Sequence, residues 1–189
     1  MEIYGIAGLS GSGKSTVAKK LEHFLSNSNI IIGDRLYLET IWEHRDDAHT
    51  LFGDNAFVKE GIMNSDLIWS QPEKYSQLKK IVLPEIRKKI IDLTKSNDNV
   101  TLLDWVYVPI MCDDCTKTIL VEASPEIRHE RLLQRSIFYA KQKAGIRDAI
   151  WGAMYNEFIP TFRIDNNDDE SALTKQINEL LPAFNTTAQ

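Results

Sequence analysis

A chain of 189 residues fits one domain at the usual roughly 100 to 200 residues per domain, and it is long enough to bury a sizeable core. At 43% hydrophobic and 26% charged residues, the composition excludes a disordered or fibrous protein. With 22 basic against 27 acidic side chains the net charge is -5, which gives no general attraction to nucleic acid or to an anionic membrane, so any phosphate-binding site must be local.

Ile3 to Ala7 is a short apolar segment running into Gly8, Gly11 and Gly13, followed by Val17, Leu21 and Phe24 at helical spacing; the order is strand, glycine loop, helix. Asn27 to Asn29 interrupt the pattern before Ile30 to Ile32, a buried-strand signal that ends at Gly33 and Asp34. That second strand is expected beside the first. Leu36 to about Lys95 reads as mostly helical, with breaks near Gly53, Gly61 and Gln71-Pro72. Within it Leu78, Val82, Ile86, Ile90 and Leu93 fall on one helix face, and Pro84 predicts a kink or a boundary.

Val100 to Leu103 predicts a third strand ending at Asp104, and Thr118 to Val121 a fourth. Ser124-Pro125-Glu126 is a helix start, with a cap, a proline at the first position and an acid in the first turn. A further helix is expected around Ile146 to Glu157, ended by Pro160, then an edge strand at Phe162 to Ile164. Leu173, Ile177 and Leu180 mark a closing amphipathic helix, and Pro182 to Gln189 reads as a frayed tail. Strands alternating with helices predict a three-layer α/β/α fold around a parallel sheet of about five strands.

The longest apolar runs are too short to span a bilayer, and the N-terminus lacks a signal-peptide layout, so a cytoplasmic protein is expected. Cys112 and Cys115 form a lone C-x-x-C without a second ligand pair, which reads as two reduced thiols in a loop.

The chemistry starts at Gly8-Leu9-Ser10-Gly11-Ser12-Gly13-Lys14-Ser15-Thr16. It satisfies G-x-x-x-x-G-K-[S/T] between a strand and a helix, the pattern of a P-loop. Glycines let successive N–H groups turn inward at a helix N-terminus, where the dipole already favours an anion. Lys14 supplies a cation for the β and γ phosphates, and Ser15 a hydroxyl for Mg²⁺. The chain lacks the N-K-x-D of a guanine-reading GTPase and is small for a motor ATPase, which leaves a small ATP-dependent kinase.

Phosphoryl transfer then needs a group near the attacking hydroxyl, a metal anchor and cations over the transferring phosphoryl. Asp34 follows the second strand at the carboxyl edge, where ligands of α/β folds collect, and is the candidate base; a helix cap is the alternative. Asp104 ends the third strand on the same edge in the manner of a Walker B acid, for Mg²⁺ or as a second base, with a turn residue as the alternative. Arg131 and Arg135, four apart on one helix face, would reach one ligand, and with Arg147 they predict a lid over residues 134–150, against the alternative of solvated arginines. Arg87-Lys88-Lys89 reads as a solvated helix face, and His44 and His49 as weak candidates.

These blocks together resemble the dephospho-CoA kinases: the P-loop followed by Thr16-Val17-Ala18, Gly33-Asp34, Leu83-Pro84-Glu85-Ile86-Arg87, Leu102-Leu103-Asp104, Thr118 to Glu126 leading to Arg131 and Arg135, and Arg163-Ile164-Asp165-Asn166. The resemblance implies one P-loop kinase domain over 1–189, a helical acceptor-binding insertion at 47–95, and transfer of the ATP γ-phosphate to the ribose 3′-hydroxyl of dephospho-coenzyme A. It implies Asp34 as base, with Arg131 and Arg135 on the lid-side helix. The family's His-Pro is here Leu83-Pro84, its Pro-Leu-Leu-Phe-Glu is here Trp105-Val106-Tyr107-Val108-Pro109, and its lid Arg-Ile-x-x-Gln has no clear match. A nucleoside, nucleotide or sugar kinase, or a nucleotide-binding regulator, is the alternative.

Overall fold

In a computed structural model, residues 2–96, 99–135 and 141–184 are described, the side chains of 141–144, 146 and 147 excepted. The chain runs β1 (Glu2–Ala7), α1 (Lys14–Phe24), β2 (Ser28–Ile32), α2 (Gly33–Glu43) and α3 (Arg45–Phe52). A 3₁₀ turn, Asp54–Ala56, leads to the short antiparallel pair β3 (Phe57–Lys59) and β4 (Ile62–Met63). Next come α4 (Ser65–Trp69), α5 (Pro72–Lys95), β5 (Val100–Asp104), a 3₁₀ segment (Val108–Asp114) and β6 (Lys117–Glu122). The chain closes with α6 (Pro125–Arg135), α7 (Lys141–Asn156), β7 (Phe162–Asp165) and α8 (Glu170–Phe184).

The main sheet has the order β2-β5-β1-β6-β7, and every pairing in it is parallel. Both faces are covered, and the apolar alternation of β1 shows how. Ile3 and Ala7 join a core with α2, α5 and α7 on one face, while Tyr4 and Ile6 join a core with α1 and α8 on the other. Strands buried on both faces read as nearly continuous apolar runs, which is why they were visible in the sequence. All five carboxyl ends point the same way, so the loops after β1, β2 and β5 meet along one edge.

Several expectations change. The strand at 28–32 does not lie beside β1: β5 separates them and pairs with both. Adjacency across a parallel sheet is decided by which crossover fits between strands, and nothing local in 28–32 encodes it. The break at Gly61 is a hairpin turn between β3 and β4, with Gly61 at φ 68°. Of the two outcomes expected at Pro84, the boundary is excluded, since α5 runs through it. Leu93 and Phe24 turn outward, at 43% and 40% exposure. The closing helix passes Pro182 and buries Phe184 against Tyr4, ring centroids 4.9 Å apart, so the tail beyond α8 starts later than predicted and lies outside the described residues.

Candidate active site

The glycine loop leaves β1 at the carboxyl edge and enters α1 at Lys14. Gly8, Gly11 and Gly13 take φ of 147°, 82° and 103°, a region that side chains resist. The crowding is as demanding as the dihedrals: a Cβ on Gly13 would run into the Asn166 side-chain amide, and one on Gly11 would lie 2.5 Å from the Arg128 carbonyl oxygen. The loop is therefore moulded on its neighbours. Asn166 Nδ2 donates to the Ser12 carbonyl (2.7 Å), and the Tyr155 hydroxyl accepts from Gly8 N–H (2.9 Å) while donating to the Val106 carbonyl (2.7 Å). Ser10 contributes its carbonyl to Arg128 (3.3 Å).

Lys14 is buried at 9% exposure, with Nζ 3.5 Å from the Leu9 carbonyl. Burial lowers its pKa below the ordinary lysine value; the fields of Asp104 and Asp34 oppose that, and those of Arg135 and Arg128 add to it. One desolvated ammonium thus feels both carboxylates and two guanidinium groups. Ser15 Oγ, in the next position, donates to Asp104 Oδ2 at 2.5 Å. Asp104, 6% exposed, ends β5, and Asp34 lies exposed in the first turn of α2. Gly33 puts that turn against Trp105, since a Cβ there would run into the indole ring.

Arg131 donates to the carbonyls of Asn166 (3.0 Å) and Gly11 (3.5 Å). With the exposed Arg135 it lines a cavity of about 380 Å³ that also touches Gly13, Thr16, Asn166 and Asp168. The pair expected to reach one ligand does share one cavity. The Arg147 side chain lies outside the described residues, as do 136–140 of the expected lid.

Sequence reasoning missed three supports. Arg128, 4% exposed, forms a bidentate pair with Asp148 of α7 (2.9 and 2.7 Å) while holding the loop carbonyl; its signal was its place in the stripe 128, 131, 135. Asn166 stands in the block Arg163-Ile164-Asp165-Asn166 with no role readable from it, and Tyr155 carries no spacing signal. A third support is an aromatic cluster beyond Asp34: Tyr37 donates to the Tyr75 hydroxyl (2.9 Å), which pairs with that of Tyr107 (3.0 Å), and Trp151 Nε1 donates to Tyr107 (3.1 Å). Burial raises all three tyrosine pKa values, keeping the hydroxyls neutral.

The other singled-out residues play structural parts. His44 bridges Asp47 (3.0 Å) and Glu85 (2.6 Å). Arg87 pairs with Asp114 (2.7 Å) and Lys89 with Glu43, so that basic run is in part tied down rather than only solvated. Both cysteines are free thiols at the end of the 3₁₀ segment, and burial pushes Cys115 up to about 12. Among the described residues no helix is long and apolar enough to cross a membrane.

A parallel sheet whose first loop is a P-loop, with an acid closing the neighbouring strand β5 and arginines lining the cavity beside the loop, defines a P-loop small-molecule kinase. A family model described as dephospho-CoA kinase matches residues 2–157, and the chain belongs to that family. A dephospho-CoA kinase of Leptospira interrogans (strain 56601) is 27% identical over 145 residues, 70% of this chain and 69% of the relative. Among solved structures, TT1252 from Thermus thermophilus superposes with a TM-score of 0.76 at 22% identity, covering 98% of both chains. Dephospho-CoA kinase from Campylobacter jejuni gives 0.63 at 14% over the full length of both. Shikimate kinase from Bacteroides thetaiotaomicron gives 0.56 at 14%, covering 97% and 98%. The chain is accordingly an ATP-dependent phosphotransferase that phosphorylates dephospho-CoA, in coenzyme A biosynthesis.

Proposed function

We propose that the phosphoryl group passes to the ribose 3′-hydroxyl of dephospho-CoA, with Asp34 accepting the hydroxyl proton, Lys14 holding the transferring phosphoryl, and Arg131 and Arg135 neutralising charge that builds up in the transition state. The observation that carries the reading is the buried Lys14 of the P-loop, whose neighbour Ser15 bonds to Asp104 at the carboxyl edge of the sheet, the edge on which Asp34 opens α2. The backbone of Gly8 to Ser15, with Thr16 behind it, binds the triphosphate.

Ser15 and Asp104 fit Mg²⁺: a hydroxyl and a carboxylate, both hard oxygen donors, lie 2.5 Å apart at the loop's exit. When bound there, the ion would neutralise charge on the β and γ phosphates. The helical region 47–95 holds the acceptor, and residues 134–150 act as the lid, anchored through Asp148 to Arg128 and so to the loop itself. No part of this reading calls for nucleic acid or membrane.

The test is ADP release across a panel of dephospho-CoA, nucleosides, nucleotides and sugars, with the product mapped by phosphorus NMR. Turnover on dephospho-CoA giving a 3′-phosphate is expected. A 2′-phosphate would overturn the 3′ assignment. Turnover only on another acceptor would overturn the substrate, and ATP binding without acceptor-dependent turnover would favour a regulator.

A further inference from the structure

The outer face of α5 and the 3₁₀ segment Val108–Asp114 enclose a groove of about 710 Å³, within the range of pockets that bury a drug-sized ligand. Leu83, Pro84, Ile110 and Met111 make its lining largely apolar, yet Lys79 and Lys80 project into it from α5. On a chain of net charge -5 this is a local concentration of cations. Arg87, at the far end, is occupied by Asp114.

Lys79 is different. It makes no ion pair among the described residues, and its Nζ sits over the rings of Tyr75 (5.1 Å) and Tyr107 (6.0 Å). Burial lowers its pKa. A half-buried ammonium with only ring faces for company is under-solvated, and an anion arriving there would restore what burial removed.

The position links it to the reaction. The two rings beneath Lys79 belong to the hydroxyl cluster that includes Tyr37, one helical turn after Asp34, and the field of Asp34 reaches both Tyr37 and Tyr107. From Ser76 to Arg87 the groove follows about three turns of helix, roughly 16 Å at 1.5 Å per residue. Dephospho-CoA has a matching sequence of groups: a ribose bearing the reacting hydroxyl, a diphosphate on its 5′ oxygen, then a long arm of methylenes and amides ending in a thiol.

We propose that Lys79 binds the acceptor's diphosphate and that the apolar groove beyond it takes the thiol-bearing arm. This rests on the acceptor named under Proposed function and deepens it by saying which residues select for the end of the molecule remote from the reaction. Lys79 and Ile110 are specificity residues; neither touches the transferring phosphoryl.

The experiment is steady-state kinetics with varied dephospho-CoA and varied ATP for the wild type, Lys79→Gln, Lys79→Arg and Ile110→Glu. Ile110 is 46% exposed, so its variant places a carboxylate in the groove without entering a packed core. Lys79→Gln and Ile110→Glu should each raise KM for dephospho-CoA about tenfold, the loss of one charge-assisted contact or the gain of one repulsion, with kcat and KM for ATP unchanged. Lys79→Arg should restore most of the affinity. A KM for dephospho-CoA within about twofold of wild type in Lys79→Gln overturns the diphosphate contact, and the same result in Ile110→Glu overturns the arm. Equal losses in KM for ATP or in kcat also overturn the assignment, because they mark a structural role. A wild type that ignores dephospho-CoA refutes the acceptor itself, which separates failure of that reading from failure of the groove.

Discussion

The P-loop is ordered mainly through main-chain groups, whereas the surroundings of Asp34 are ordered by side chains drawn from three helices and the turn after β5. Around the P-loop, Asn166, Tyr155, Arg128 and Arg131 all bond to backbone N–H or C=O of Gly8 to Ser12. Beyond Asp34, Tyr37, Tyr75, Tyr107 and Trp151 bond to one another through hydroxyl and indole groups. The first arrangement presents backbone N–H donors to any triphosphate and tolerates few changes of residue. The second is built from side chains, and under the proposed function it is the side on which acceptor specificity would be set.

That contrast can be broken first at Lys14. Lys14→Ala removes the buried ammonium of the P-loop, and kcat/KM should fall about a hundredfold or more; near-normal turnover would show that the loop binds without contributing to transfer. The claim about main-chain order is sharpened at Gly13. Its φ of 103° and the Asn166 amide beside it leave no room for Gly13→Ala, which should weaken ATP binding about tenfold or more by titration calorimetry. Unchanged ATP affinity would mean the loop is not moulded on its neighbours.

The smallest effect belongs to His44, at the junction of α2 and α3. Glu85 first, then Asp47, raise its pKa above the ordinary 6.5. With the folded value raised, the stabilisation is complete below the unfolded pKa and is lost as pH rises through the folded one. Through this site the melting temperature should drop by about 2 °C or less between about pH 6 and about pH 8, and His44→Gln should flatten that part of the profile. Turnover should be unaffected. An identical slope in the variant would show that the bridge contributes nothing.

What could be read from the sequence follows the same division. The P-loop was legible because its chemistry demands glycines, a lysine and a hydroxyl at fixed local spacing, and the three inner strands were legible because double-sided burial leaves apolar runs. The placement of Asp34 and Asp104 on one edge followed from parallel strand direction alone. Strand order was not legible, since β5 inserts between β1 and β2 from a distant part of the chain. Nor was the tyrosine cluster: Tyr37, Tyr75 and Trp151 sit on three different helices and Tyr107 in the turn after β5, and isolated aromatics on apolar faces read as core. Arg128 stood in plain view at helical spacing from Arg131 and Arg135, but its burial against Asp148 depends on where α7 returns.

The most direct test of the account compares Asp34→Asn with the wild type in two readouts, ATP affinity by calorimetry and kcat with dephospho-CoA. If Asp34 serves the acceptor hydroxyl alone, kcat falls about a hundredfold or more while ATP affinity stays within about twofold. Collapse of ATP affinity, or retention of kcat, would contradict it.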